Sequence, residues 1–187
     1  GKDESSGYVT GLVNISLLNL FGTGRAASIK WNKYNRNSQE LDLRYLEPWL
    51  FSFPLNVNLG LYQRIQDTTY VQRKIEGSLD YLATEDISAG VMFASETVVP
   101  TVRANPVFTV YNSSYITTGA NLKIDTRDDP YAPTEGILFI NSYSFSIKTI
   151  NGPVEYFTPS LITSVDLQRF ASSFYIFYEL FTRQIIA

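Results

Sequence analysis

Residues 41–64 read LDLRYLEPWLFSFPLNVNLGLYQR, and the spacing inside this stretch decides the fold. Leu41, Leu43 and Tyr45 alternate with Asp42 and Arg44; further on, Leu55, Val57, Leu59 and Leu61 alternate with Asn56, Asn58 and Gly60. A period of two puts each apolar set on one face of an extended chain, because successive side chains point to opposite sides. Between the runs, Pro48 and Pro54 lack the N–H that a strand ladder needs. The stretch predicts two antiparallel strands joined by a turn, with one apolar and one polar face.

The same alternation continues in both directions. ASIKWN sets Ala27, Ile29 and Trp31 against Ser28, Lys30 and Asn32, and IEGSLDY sets Ile75, Leu79 and Tyr81 against Glu76, Ser78 and Asp80. ISAGVMF gives Ile87, Ala89, Val91 and Phe93, and YSFSIK gives Tyr143, Phe145 and Ile147 against serines and Lys148. Nine strands are predicted, over residues 8–20, 25–35, 38–47, 53–66, 70–82, 85–95, 114–126, 136–150 and 163–181. No segment of useful length carries a helical period, so the class is all-β. In an antiparallel up-and-down meander the odd-numbered connections share one rim and the even-numbered ones the other. That places 21–24, 48–53 and 126–135 at one rim, and 96–113 and 151–162 opposite.

Composition excludes several kinds of chemistry. With no histidine and no cysteine among 187 residues, neither imidazole nor thiolate metal sites nor nucleophile–histidine pairs can form. Fifteen Lys+Arg stand against 18 Asp+Glu without a long run of either sign, which argues against a nucleic-acid partner. No apolar run approaches a transmembrane helix in length. The polar opening GKDESSG does not read as a secretory signal, and the ending YELFTRQIIA, which stops within an apolar pattern, leads to the expectation of a piece of a longer protein.

Alternation alone does not choose a solvent. A soluble sandwich buries its apolar face, whereas a membrane barrel turns that face to lipid and wets its lumen. Three features favour the barrel. Helix is nearly absent, several strands approach the ~9–11 residues of a tilted membrane crossing, and aromatics such as Trp49, Phe51 and Phe53 stand near strand ends.

The connections are more specific. NLFGTGR (19–25) joins the first two strands, EPWLFSFPL (47–55) the third and fourth, and DTRDDPYAPTEG (125–136) the seventh and eighth. In this order and spacing they resemble the barrel of the BamA-type outer-membrane assembly proteins, the bacterial surface antigen family. That family has a Leu-Phe-Gly-Thr-Gly turn, then Glu-Pro-Trp-Leu-Phe, then Asp-Thr-Arg-Asp-x-Pro ending in Thr-x-Gly. The matching positions here are Gly22 and Gly24; Glu47, Pro48 and Trp49; and Asp125, Arg127, Asp128, Pro130, Pro133 and Gly136. The resemblance covers nearly the whole chain and implies that all three turns lie on the periplasmic rim. It also implies that residues 1–187 are a partial barrel domain, about nine strands of a sixteen-stranded transmembrane barrel. The POTRA domains, the first strand, the later strands and the Val/Ile-Arg-Gly-Phe/Tyr loop motif are not in this sequence.

Each motif also has a chemical reading. DTRDDPYAPTEG places Asp125, Arg127 and Asp129 at the first, third and fifth positions of a calcium loop, but Arg127 is no oxygen ligand and Pro130 stands where an EF-hand needs glycine. Asp125 with Asp128 or Asp129 could form an acid–base pair only in a pocket that raises a pKa. The turn reading has Pro130 and Pro133 fixing φ, Asp128 and Asp129 accepting backbone hydrogen bonds, Asp125 or Asp128 pairing with Arg127, and Gly136 opening the next strand. FGTGR lacks the Lys-Ser/Thr of a phosphate-binding loop, so its glycines read as turn residues. Pro48 ends a strand, and Trp49 is expected to anchor at an interface. Asn112 opens an Asn-x-Ser pattern, which is set aside for a bacterial outer membrane.

By resemblance the protein inserts other β-barrel proteins into the bacterial outer membrane. It would need no cofactor and perform no enzymatic step. Its partners would be outer-membrane lipid, unfolded β-barrel clients and accessory assembly lipoproteins. The family mechanism adds client strands at a weak seam in thinned bilayer. Related two-partner-secretion or patatin-fused barrels, which translocate a passenger, and a soluble β-sandwich are the alternatives. The inward set Lys30, Arg44, Lys74, Glu76, Lys123 and Lys148 would suit either barrel role. The deciding expectation is that Leu41, Leu43, Tyr45, Leu55, Val57, Leu59 and Leu61 point outward while Asp42, Arg44, Asn56 and Asn58 point inward.

Overall fold

The computed structural model describes residues 9–67, 69–101, 110–181 and 184–186. Ten antiparallel strands follow one another in sequence and in space. They are β1 (Gly11–Leu20), β2 (Arg25–Lys33), β3 (Gln39–Glu47), β4 (Leu55–Gln66), β5 (Tyr70–Leu82), β6 (Ile87–Pro100), β7 (Asn112–Asp125), β8 (Gly136–Gly152), β9 (Ser164–Phe181) and β10 (Gln184–Ile186). Every strand pairs only with its sequence neighbours, so the described sheet is an open meander with β1 and β10 at its edges. Outside the strands, Leu50–Ser52 and Val154–Tyr156 form single 3-10 turns.

The strand count and several boundaries differ from the sequence expectation. A three-residue tenth strand follows β9. β2 ends at Lys33 rather than 35, and β4 opens at Leu55 rather than 53. The expected strand 85–95 runs on to Pro100, because Glu96 to Pro100 continue the ladder opposite Lys74 to Tyr70. The 96–113 connection therefore shrinks to 101–111, of which 102–109 lie outside the described residues. A pairing partner extends a strand past the point where alternation fades, an effect local sequence does not carry.

Contacts between turns fix the two rims. A Cβ on Gly24 would lie 3.3 Å from Pro48, Leu82 N–H donates to the Pro54 carbonyl (2.8 Å), and Asp125 N–H donates to the Asp86 carbonyl (2.8 Å). The turns 21–24, 48–54, 83–86 and 126–135 thus share one edge. At the other, the Asn37 amide donates to Asp67 (3.3 Å) and Thr101 N–H to the Thr69 carbonyl (3.1 Å). Tyr111 O–H donates to the Tyr156 carbonyl there as well (3.3 Å).

This sheet has one layer and almost no conventional core. Ala94 is the only buried hydrophobic residue among those described, at 3% exposure. Gly60, Gly90, Ala94 and Ser113 are the buried positions of the strands β4 to β7, and register puts all four on one face, the inner one.

Candidate functional site

Register carries the outer face across the sheet. Ile29, Leu43, Leu61 and Ile75 form one row, and Tyr45, Leu59, Gly77 and Phe93 another. Leu59 is 53% exposed and Ile75 63%, although both sit in mid-strand. Val91, Phe93, Ile116, Tyr143 and Phe170 extend the exposed band to β9. A soluble monomer seldom shows an apolar patch above a few hundred Å², so this face requires an apolar neighbour.

On the inner face the chemistry is reversed. Arg44 pairs with Asp42 (2.7 Å) and reaches Glu76 two strands away, while Lys74 holds the second oxygen of Glu76 at 2.5 Å. The Asn58 amide donates to Ser78 (3.1 Å) and Asp80 (2.8 Å), and the Asn121 amide reaches Asp80 at 3.5 Å. Lys148 stands 5.1 Å from the Tyr115 ring centre, and Thr117 and Ser146 share a hydrogen bond of 2.7 Å. Charged groups on a lipid-facing surface would be costly; paired along a wet wall they are tolerated.

Glycines make the two-strand reach possible. Gly60 lies in register between Arg44 and Glu76, and Gly90 between Asp80 and Asn121. A Cβ on Gly60 would come within 2.8 Å of Glu76 Cγ, and one on Gly90 within 2.1 Å of Asp80 Oδ1. Gly119 repeats the pattern between Met92 and Ser144, with a built Cβ 3.0 Å from Met92. Gly60 and Gly90 each leave a gap through which side chains two strands apart touch, the positional use of glycine within sheets. Sequence reasoning missed these rows. Their signal was a glycine at an inward position of three strands, readable only once register was known.

Two of the motif turns meet. Gly22 and Gly24 have φ of 71° and 76°, the left-handed region that glycine enters freely. Gly24 packs on Pro48, and Arg25 Nε donates to both carboxylate oxygens of Glu47 (2.9 and 2.7 Å), which also accepts from Tyr45 O–H. Trp49 (φ 52°) and Phe51 (φ 52°) are left-handed too, costly for bulky side chains. Trp49 N–H is held by Asn56 Oδ1 (3.2 Å), and the side chains of Trp49, Phe51 and Phe53 stand exposed at the rim.

The third motif lies farther along the same rim, beyond the β5–β6 turn, and does not touch the first two. Asp125 grips Arg127 through two bonds (2.7 and 2.9 Å) and also pairs with Lys123 (2.9 Å), while Arg127 donates to the Pro130 carbonyl (2.9 Å). Asp129 Oδ1 accepts from the N–H groups of Tyr131 (2.7 Å) and Ala132 (3.1 Å). Asp128 accepts from Thr134 N–H (2.8 Å), Thr134 Oγ1 (2.6 Å) and Glu135 N–H (3.1 Å). The Thr134 hydroxyl, followed by the Glu135 and Thr134 amides, lowers the Asp128 pKa to about 2. Pro133 falls within this closed loop. Gly136 (φ 107°) passes so close that a Cβ would lie 2.3 Å from the Thr126 carbonyl oxygen. The carboxylates are taken up in holding the loop, and the described residues contain no acidic cluster fit for a metal.

A single layer of long antiparallel strands, apolar on one face and polar on the other, defines a stretch of transmembrane β-barrel wall. The family model described as the Omp85 superfamily domain matches residues 19–177, and the chain belongs to the Omp85 superfamily. No curated protein and no solved structure matches it. Proteins of this superfamily reside in the outer membranes of bacteria and organelles, where they insert or translocate other proteins.

Proposed function

We propose that the chain forms part of the barrel of a BamA-like assembly protein in the bacterial outer membrane. In this reading residues 1–187 are one partial barrel domain. The turns bearing Gly22, Gly24, Glu47, Pro48, Trp49 and Asp125 to Gly136 face the periplasm, and the outer face of β1 to β9 meets lipid. Unfolded β-barrel proteins are the clients, and accessory lipoproteins assist from the periplasmic side. No cofactor enters the process. The single supporting observation is the division of one sheet into an exposed apolar face and an ion-paired polar face, in a chain of the Omp85 superfamily. Assembly rather than passenger secretion is favoured by the three motif turns, which keep the assembly family's order and share one rim. The test is depletion of the intact protein in its host. Loss of many folded outer-membrane barrels supports assembly; loss of one secreted passenger with normal barrel levels refutes it.

A further inference from the structure

Cations are treated differently at the two rims. Beside the motif turns, Arg25 is bound to Glu47 and Arg127 to Asp125. At the opposite rim Arg64 pairs with Glu40 (3.4 Å), but Lys33, Arg36 and Arg73 take part in no ion pair among the described residues, where Arg73 has a 3.3 Å hydrogen bond to Gln63 Oε1. Lys33 follows Trp31 on the outer face of β2, and Arg73 follows Ile75 on the outer face of β5. Lys33 therefore stands at the last row of the band, beside Ile65, Val71 and Val99, and Arg73 one row within it.

Lys33 and Arg36 line one open cavity of about 440 Å³ together with Asn37, Ile65, Asp67 and Thr101. The Thr101 hydroxyl is buried and has no hydrogen-bond partner among the described residues, so an ungratified donor or acceptor lies within the wall of this space. The Asp67 carboxylate accepts from the Asn37 amide (3.3 Å) and offsets one of the two cations, leaving the cavity net positive. Ile65 shares its face with Leu43 and Leu61, so the cavity's apolar side is continuous with the outer band. Two cations, a spare hydroxyl and an adjoining apolar strip match an anion that carries a hydrocarbon tail.

We propose that this cavity binds the phosphate of an anionic lipid headgroup, with the acyl chains lying along the outer face of β2 to β5. The proposal rests on the membrane reading above and adds a specific lipid contact to it. Lysine and arginine supply the charge, and the Thr101 hydroxyl supplies a directed hydrogen bond to a phosphate oxygen.

The intact protein, placed in nanodiscs of zwitterionic lipid, is titrated with fluorescent lipid A, with phosphatidylglycerol and with inorganic phosphate. Saturable binding of one or both lipids is expected, weakening as salt rises. The double variant Lys33→Gln/Arg36→Gln should weaken it about 30-fold and Arg73→Gln about fivefold, at the free energy usual for one cation near an anionic surface. Thr101→Val, which leaves charge unchanged, should weaken it about fivefold. Lys30→Gln, on the inner face, should leave it unaltered. Lipid A binding alone specifies a phosphate monoester; equal binding of phosphatidylglycerol extends the site to diesters, and either supports the proposal. Unchanged affinity in the double variant overturns it, as does inorganic phosphate binding as tightly as the lipids. Entry into nanodiscs is scored separately: a protein that enters but binds neither lipid defeats only this proposal, whereas one that never enters defeats the membrane reading too.

Discussion

Asn58 and Leu59 are neighbours in β4, yet they live in opposite surroundings. Asn58 is held by Ser78 and Asp80, whereas Leu59 is 53% exposed in the middle of its strand. In a soluble sheet the leucine would be covered and the asparagine left in water. The inversion holds along β4 and β5, where Leu59, Leu61, Ile75 and Leu79 are exposed and the polar face is the one that is close-packed and hydrogen-bonded. It follows that specificity in this wall comes from polar contacts and missing side chains, while the apolar face acts through its solvent.

Charge offers the strongest way to break that contrast. Leu59→Arg should cost roughly 2–4 kcal/mol if its site lies at the bilayer midplane, and Asn58→Arg much less. Guanidinium unfolding in lipid vesicles reads both; equal costs would erase the distinction between the faces.

Glycine substitutions sharpen it. Gly90→Ala places a Cβ 2.1 Å from Asp80 Oδ1 and should cost roughly 1–3 kcal/mol by overpacking. Gly77, on the outer face of β5, would bring its Cβ no closer than 3.6 Å to Leu59. Gly77→Ala should instead stabilise by about 0.5–1 kcal/mol, since the unfolded chain loses freedom it no longer has to give up. The same unfolding assay compares them. A matching loss in both variants would mean that the inner rows are not specially tight.

Gly136→Ala meets a different obstacle, a positive φ together with backbone at 2.3 Å, and should cost about 1–3 kcal/mol. Hydrogen exchange at Ile137, whose N–H donates to Thr126 Oγ1 (3.0 Å), should report the loosened junction. Unchanged protection would show that the junction tolerates a side chain.

The smallest effect concerns pH. Asp128 titrates at about 2 in the folded loop, against ~3.9 for an unperturbed aspartate. A depressed folded value means that its stabilising contribution is complete above the unfolded pKa and is lost as pH falls through the folded one. Exchange protection of the Thr134 and Glu135 amides should hold from neutral pH to about 4, then fall towards pH 2. Asp128→Asn should remove that dependence; an unchanged acid profile in the variant would assign the loss to another group.

Much of this architecture was legible in the sequence because a period of two fixes a whole face at once. Once Leu41, Leu43 and Leu59 were placed outward, Asp42, Arg44 and Asn58 had no other face to occupy. The turn motifs were legible for a related reason: Pro48, Pro130 and the positive-φ glycines constrain backbone locally, without help from tertiary contacts. What escaped depended on pairing. The continuation of β6 to Pro100 needed β5 beside it, and the Gly60 and Gly90 rows needed three strands in register. The left-handed Trp49 was hidden because nothing in its side chain asks for that conformation; Asn56 and the surrounding turn impose it.

The central claim, that one face of this sheet meets lipid and the other water, can be tested residue by residue because the chain contains no cysteine. Single cysteines at positions 56 to 59 and 61 of β4, spin-labelled in lipid bilayers, can be probed with apolar oxygen and with a water-soluble nickel chelate. Strict alternation is expected, with labels at 57, 59 and 61 relaxed by oxygen and those at 56 and 58 by nickel. Labels at 57, 59 and 61 that neither reagent reaches, beside fully water-exposed labels at 56 and 58, would show a dry protein core behind the leucines and contradict it.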